Sequence, residues 1–263
     1  MVSTPRYVRI KRHGPVTVVV MDNPATMNAM DQEMGPRLVG ALEGLAADRS
    51  VRAVVLTGAG GRFSAGGNLA RAEEFLAEHP GRGAAPVFAQ YTIWVHRLLA
   101  VLTRLPQPVV AAVERAASGG GLGWLLACDL VVLAEDARLS TGFLAIGLAP
   151  AAGVSWHLPR LVGLPRAAEL LMLGRTLEAD QALDLGLADR LAPPGETLPV
   201  ALELAGELAR GPAQALSATK ELLGGAARRG LFPQAEAERR AVLHTADQQE
   251  FARRLERFRR RRG

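Results

Sequence analysis

Short runs of β-branched and aliphatic residues, each closing in turn-forming residues, alternate with longer segments whose apolar positions recur at helical spacing. Val16 to Met21, Val51 to Thr57, Val109 to Val113 and Leu130 to Leu133 are the short runs. They are nearly continuous in apolar residues, which predicts strands of a parallel sheet buried on both faces. Met30 to Ala47 and Val87 to Leu105 predict helices, the second carrying Val87, Tyr91, Val95, Leu98 and Leu102 on one stripe. Strand, helix, strand order predicts an α/β fold with right-handed crossovers.

From about Thr197 the strand signal ends. Ala201 to Arg210, Pro212 to Gly224 and Phe232 to Arg260 predict successive helices broken by Gly and Pro. The chain therefore divides into a core, 1–195, and a helical region, 196–263, joined at Pro193-Pro194-Gly195. A second flexible stretch, Pro80 to Pro86, follows a glycine-rich loop and reads either as a lid or as a plain surface linker.

With 263 residues, 49% of them hydrophobic, the chain is long enough to bury a sizeable core of its own. One cysteine, Cys128 in an apolar run, excludes an internal disulfide and reads as packing rather than as a nucleophile. The N-terminal Met1 to Tyr7 has no apolar signal core and no stretch is long enough to span a bilayer, so a cytoplasmic protein is expected. The net charge of +5 is modest, and the seven arginines between Arg253 and Arg262 read as a solvated helix end rather than a nucleic-acid patch. No histidine, cysteine and carboxylate cluster has ligand spacing, so no metal is expected.

The chemistry starts where the second strand run ends. Thr57 to Gly67 passes through a series of glycines, whose missing Cβ lets backbone N–H groups approach a ligand. After the next strand, Ser118-Gly119-Gly120-Gly121-Leu122-Gly123-Trp124 repeats the device and opens a helix with unpaired N–H groups. Either loop alone is as well explained by a tight turn; two of them after parallel strands point to paired donors for one oxyanion. Neither carries a dinucleotide or Walker-type fingerprint.

The segment from Ala53 to Leu69, the run from Val109 to Asp129, Gly147 to Gly153 and Leu158 to Gly163 together resemble the crotonase (enoyl-CoA hydratase/isomerase) superfamily, as do Asn28-Ala29-Met30 and Ala182 to Asp189. The resemblance covers nearly the whole chain. It implies a β/α spiral core, a C-terminal helical region used for trimer contacts, a homotrimer or a hexamer, and an acyl-CoA substrate with no cofactor beyond its CoA moiety. By resemblance, the N–H groups of Gly67 and Gly120 form the oxyanion hole. Backbone carbonyls at Ser64 and Ala65 would hold the adenine end of CoA, and Arg62, Arg71 or Lys220 would pair with its phosphates.

Three departures restrict the reaction. The two glutamates of the family's hydratases fall on Gly123 and Phe143, and neither residue transfers a proton. The phenylacetate-type isomerase branch, which Ser155 to Arg160 most resembles, often places an aspartate where this chain has Ala151. The same position supplies the nucleophile of aryl-CoA dehalogenases. The substitutes are few. Asn68 stands beside a donor glycine and either positions a substrate or caps a turn; Tyr91 either reaches the acyl group or packs in the core. Ser140 and Thr141 precede Phe143 as pocket-lining candidates, His157 reads as a packed or interface histidine, His96 faces solvent, and Glu73 and Glu74 belong to a solvated face unless a lid carries one inward. An isomerase, a decarboxylase or a C–C lyase fits this set. The alternatives are a non-catalytic acyl-CoA binding protein and a hydratase with a relocated acid and base.

Overall fold

The computed structural model describes residues 6–226 and 228–260. Met1 to Pro5 of the N-terminal segment and Arg261 and Arg262 of the arginine-rich tail lie outside the described residues.

In chain order, β1 (Tyr7–His13) and β2 (Val16–Asp22) form a hairpin, followed by α1 (Met34–Ala46), β3 (Ala53–Gly58), α2 (Ala70–Glu78), α3 (Ala85–Arg104) and β4 (Val109–Val113). Next come β5 (Ala116–Ser118), α4 (Gly120–Leu126), β6 (Leu130–Ala134), β7 (Arg138–Ser140), α5 (Val154–Val162) and α6 (Leu164–Met172). The chain ends in β8 (Thr176–Glu178), α7 (Ala179–Asp184), β9 (Arg190–Ala192), α8 (Thr197–Arg210), α9 (Ala213–Ala226), α10 (Leu231–Ala246) and α11 (Gln249–Arg260).

The main sheet has the order β1-β2-β3-β4-β6-β9 and is parallel from β2 onward, with Val18 opposite Val55, Val55 opposite Val110 and Val110 opposite Leu130. Alternate residues serve two cores. Val19, Met21, Val54, Leu56, Ala111 and Leu133 pack with α1, α3 and α4. Val18, Val20, Val55, Val110, Ala112 and Val132 pack on the other face with Ala201, Leu204, Ala205 and Ala209 of α8. Burial of both faces is why the strands read as unbroken apolar runs. It also makes the first helix after residue 196 a layer of the core. Glu114, just past β4, holds it there by accepting from the N–H groups of Gly195 and Thr197 and from the Thr197 hydroxyl.

Several expected boundaries move. β1 has no apolar run because it is an edge strand paired with β2; Lys11 is exposed, and Arg9 and Arg12 pair with Asp22 and Asp48, charges of the kind edge strands carry to avoid pairing with another chain. The helix expected from Met30 begins at Met34, because Met30 bridges to Gly67 and Asp31 Oδ1 accepts the N–H groups of Glu33 and Met34. The helix expected over Phe232 to Arg260 is two, separated at Asp247 and Gln248. A small sheet of order β5-β7-β8 stands beside the main one, its strands too short to show in the apolar pattern.

Among the described residues, no helix is long and apolar enough to cross a membrane, and no cluster of His, Cys, Asp and Glu could hold a metal ion.

Candidate functional site

The loop after β3 folds back over the end of its own strand. A Cβ on Gly58 would lie 2.0 Å from the Arg62 carbonyl oxygen, so only glycine admits this path. Asn28, fully buried, fastens the loop: its Nδ2 donates to the carbonyls of Ala59 and Arg62, each at 2.9 Å, and its Oδ1 accepts the Asn23 N–H. Ser64 ties the same loop to its neighbour. Its hydroxyl donates to the Asn28 carbonyl and accepts the Gly66 N–H, and its own carbonyl accepts the Ser118 N–H at 3.0 Å.

Gly67 sits between two fixed peptide groups. Met30 N–H donates to the Gly66 carbonyl at 2.6 Å, and the Met30 carbonyl accepts the Asn68 N–H at 2.9 Å. In an extended segment successive N–H groups alternate in direction, so bonding Asn68 N–H to Met30 turns the Gly67 N–H to the opposite side. The second loop meets the first there. A Cβ on Gly66 would be 2.6 Å from the Gly120 nitrogen, and one on Gly121 would be 2.4 Å from the Ser64 carbonyl oxygen. Gly120 is the first residue of α4, so its N–H has no partner within the helix. The glycines at 66 and 121 let the two backbones touch, and this contact brings residues 67 and 120 to the wall of one cavity.

Both glycines line a cavity of about 150 Å³. Among the described residues, Tyr91 is the one titratable side chain on its wall. Its phenol oxygen would stand 2.7 Å from a Cβ on Gly67, and burial pushes its pKa up to about 12. Thr92 and Ser118 are also on the wall, the Thr92 hydroxyl already donating to the Phe88 carbonyl. Leu69, Val95, Trp124, Ile146 and Leu148 make it apolar. Phe143 and Ala151 line it too, so two of the three positions lacking a carboxylate do face this space.

The third does not. A Cβ on Gly123 would lie 2.0 Å from the Ala152 carbonyl oxygen, so the backbone of residue 152 occupies the ground that a side chain at 123 would need. Ala152 reaches it with φ of +54°, a conformation non-glycine residues rarely adopt. Sequence reasoning missed Ala152 and the walls Leu69, Ile146 and Leu148; the cluster Ala149-Pro150-Ala151-Ala152-Gly153 was the one available signal of an unusual turn.

The remaining candidates are dispersed. Asn68 is not on the cavity: its Oδ1 accepts the Ala70 N–H at the start of α2 and its Nδ2 donates to Asp31, which is the turn-capping role. Ser64 is 1% exposed and its polar atoms are engaged inside the fold, so it does not present a carbonyl to a ligand; Ala65, half-buried, lines the cavity. Arg62 is exposed against Met27, and Arg71 pairs with Glu74 on the solvated face of α2. Lys220 is held by Asp129 at 2.7 Å and lines a different cavity, of about 820 Å³, together with His157, Arg160 and Arg228. Burial, and secondarily the charge of Arg160, lower the pKa of His157. Ser140 and Thr141 lie beside the site without lining it, the Ser140 carbonyl accepting the Gly119 N–H, and His96 is exposed. Cys128 donates to the Trp124 carbonyl at 3.3 Å, and burial pushes its thiol pKa far up, as an inert packing cysteine requires. Pro80 to Ala84 form an exposed turn between α2 and α3.

A parallel sheet feeding two touching glycine loops, with a small apolar cavity at their junction, defines an α/β protein of the crotonase type. The chain belongs to the enoyl-CoA hydratase/isomerase family, whose model matches residues 11–263. A putative enoyl-CoA hydratase of Thermus thermophilus is 45% identical over 210 residues, 80% of this chain and 81% of that protein. The 4-chlorobenzoyl coenzyme A dehalogenase-2 of an Arthrobacter species is 32% identical over 98% of this chain and 92% of its own. Among solved structures, an enoyl-CoA hydratase from Polaromonas sp. JS666 superposes with a TM-score of 0.89 at 33% identity, covering 95% of this chain and 96% of that one. The family acts on acyl-CoA, and this chain is an enzyme of that superfamily.

Proposed function

We propose that the cavity takes the acyl group of a CoA thioester, with the thioester oxygen between the N–H groups of Gly67 and Gly120 and the Ala65 backbone beside the CoA arm, and that the reaction generates an enolate without a protein base. One observation carries this reading: among the described residues, the wall that holds both glycines holds a single titratable side chain, Tyr91, and no carboxylate. Each backbone donor facing a developing oxyanion contributes roughly 2.7–4 kcal/mol. A phenol whose pKa is about 12 stays protonated near neutral pH, so Tyr91 donates a hydrogen bond or a proton and does not abstract one.

That distribution of groups favours reactions in which the substrate supplies the electron pair. In a decarboxylation the bond between the α-carbon and a carboxylate it carries breaks, carbon dioxide leaves, the pair passes into the enolate held by the two N–H groups, and the Tyr91 phenol protonates the α-carbon before regaining a proton from solvent. A C–C lyase and a double-bond isomerase fit only where the substrate carries its own base, which in the lyase takes the β-hydroxyl proton as the carbonyl fragment leaves and the pair enters the enolate. Hydration needs an acid and a base around water, and displacement of an aryl halide needs a nucleophilic carboxylate; Phe143 and Ala151 supply neither. That no base stands among the described residues of the wall also favours a second reading, binding of an acyl-CoA without turnover. No group beyond the CoA moiety enters either reading.

We further propose a homotrimer or hexamer. Met172 and Phe232, on α6 and α10, are 75% and 85% exposed, and large apolar residues left open in this number are characteristic of surfaces that meet another chain. Light scattering on the purified protein should give a mass that is a multiple of three chains.

The catalytic reading is tested by offering the protein short trans-2-enoyl-CoA and α-carboxyacyl-CoA (malonyl-type) thioesters in parallel. Carbon dioxide release from the second, with the conjugated absorbance of the first unchanged, is the expected result. Rapid loss of that absorbance would overturn the reading, and tight binding of both without turnover would favour the non-catalytic one.

A further inference from the structure

The larger cavity, of about 820 Å³, is walled by the later half of α3, by α5 and by α9 with the turn that follows it. Four arginines, Arg104, Arg160, Arg228 and Arg229, stand on its wall against one carboxylate, Glu221. Lys220 is there too, already neutralised by Asp129. Among the described residues, none of the four arginines forms an ion pair. The cavity therefore carries an excess of uncompensated positive charge.

Three of these guanidinium groups are held in place by contacts with the wall itself. Arg160 lies over the Trp156 ring, 3.2 Å from its centroid, and donates to the Trp156 carbonyl at 2.7 Å. Arg228 donates to the Gly224 carbonyl at 3.3 Å. Arg229, half-buried, fills the place of a side chain at residue 225: a Cβ on Gly225 would collide with its guanidinium, which donates to Gln234 at 3.3 Å. Trp156, Gly224 and Gly225 all line the cavity, so the three charges are fixed beside it. Each guanidinium spends one N–H on these contacts and keeps most of its donors open. A recess bordered by fixed charges of one sign, with Leu99 and Leu105 among its apolar walls, concentrates counter-ions.

Size and charge narrow the occupant. A lone carboxylate or phosphate matches a single guanidinium fork, whereas these forks come from two separate segments, α5 and the turn after α9. The volume is also that of sites for whole organic ligands rather than small ions. A diphosphate has acceptors enough for forks from both segments and carries a charge of matching size and opposite sign near neutral pH. This cavity shares no wall residue with the one that holds Gly67 and Gly120.

We infer that the cavity between α3, α5 and α9 is a second ligand site, one that takes a diphosphate group, inorganic or esterified to a nucleoside, on Arg160, Arg228 and Arg229. It is separate from the acyl cavity and does not rest on the acyl-CoA reading.

The test is calorimetry on the purified full chain, in the assembly it forms, with sodium pyrophosphate, ADP and orthophosphate at constant ionic strength. Pyrophosphate or ADP should bind at least about tenfold more tightly than orthophosphate, and the tighter of the two identifies the inorganic or the esterified source. Arg160→Gln and Arg229→Gln should each weaken that binding by about tenfold, because each removes charge-assisted hydrogen bonds. Affinity for a short trans-2-enoyl-CoA should stay within about twofold of native in both variants. A second readout does not depend on the arginine variants folding: the ring proton signals of His157, which lines the same cavity, should move when the diphosphate is added to the native protein. His157→Gln identifies those signals. Absence of binding at millimolar concentration overturns the inference, and so does equal affinity for all three anions that both arginine variants retain, which would be general attraction to a basic surface. A tenfold loss of enoyl-CoA affinity in the same variants would assign these arginines to the CoA arm, overturning a separate site while leaving the acyl-CoA reading in place.

Discussion

Gly123 and Ala152 compete for the same ground: a Cβ on residue 123 would stand 2.0 Å from the Ala152 carbonyl oxygen and 2.8 Å from the Ala152 methyl. The position that bears a glutamate in the resembled hydratases is thus closed by backbone, which a side-chain rotation cannot relieve. Gly123→Ala should lower stability by about 3 kcal/mol, because either α4 or the Ala151 to Gly153 turn must shift. Gly123→Glu should cost more and yield no hydratase activity. Urea midpoints check the first and the enoyl-CoA absorbance assay the second; a Gly123→Ala midpoint equal to that of the native protein would show that the turn yields freely.

Tyr91 combines contact with Gly67 and a protonated phenol, and these have separable consequences. Tyr91→Phe keeps the ring against the glycine and removes the proton, so turnover of the true substrate should fall by about 10²-fold or more while thioester affinity changes little. Because burial holds the phenol pKa at about 12, the native rate should show no ionisation of this group between about pH 6 and 9. A rate that rises across that range with an apparent pKa lost in Tyr91→Phe would assign the residue the opposite role, a base.

Lys220 and Asp129 form a pair with side chains 11% and 27% exposed, and Asp129 also accepts the Val109 N–H at the start of β4. Burial raises the Asp129 pKa and Lys220 opposes that rise. Removing the cation leaves a partly buried carboxylate uncompensated, so Lys220→Met should lose about 1–3 kcal/mol, largely recovered by adding Asp129→Asn, which preserves an acceptor for Val109. Thioester affinity should stay within about twofold of native in both, since the pair lies away from the cavity. A marked loss of CoA affinity with stability unchanged would return Lys220 to the phosphate role that the resemblance implies.

The parts of this molecule that could be read from the chain are those in which one local rule acts without competition. β2, β3, β4 and β6 are buried on both faces, so each is apolar but for the buried Thr17 and Thr57 and the residues at the strand ends, and the runs were visible. β1 satisfies a different demand, that of an edge, and Arg9, Lys11 and Arg12 hide it. The glycine loops were legible as places of close approach, but the partner in that approach was not: Gly66, Gly121 and Gly123 accommodate other backbone segments, and which segment comes near is decided by the packed fold. Asn68 and Tyr91 were equal candidates in sequence. They separate because Asn68 has a helix N-terminus to cap within two residues, whereas Tyr91 has no such local partner and falls on the half-buried side of α3, opposite Gly67.

His157 provides a test of the second, cationic cavity that needs no substrate. Half-buried on α5, it has its pKa lowered from the ordinary 6.5 first by burial and then by the neighbouring charge of Arg160. In the unfolded chain the imidazole takes up a proton at its ordinary value, so between 6.5 and the lower folded value the unfolded state binds more protons and stability rises with pH. Above 6.5 both states are neutral at this site and it contributes no pH dependence; as the pH falls below 6.5, stability should drop until the folded value is passed. His157→Gln removes the proton site, so its unfolding free energy should fall less than that of the native protein between about pH 7.5 and 5. Urea unfolding at the two pH values measures the difference, in which contributions from unaltered groups such as Asp129 cancel. Equal slopes for the two proteins would mean that the imidazole is as free to protonate in the folded state as in the unfolded chain.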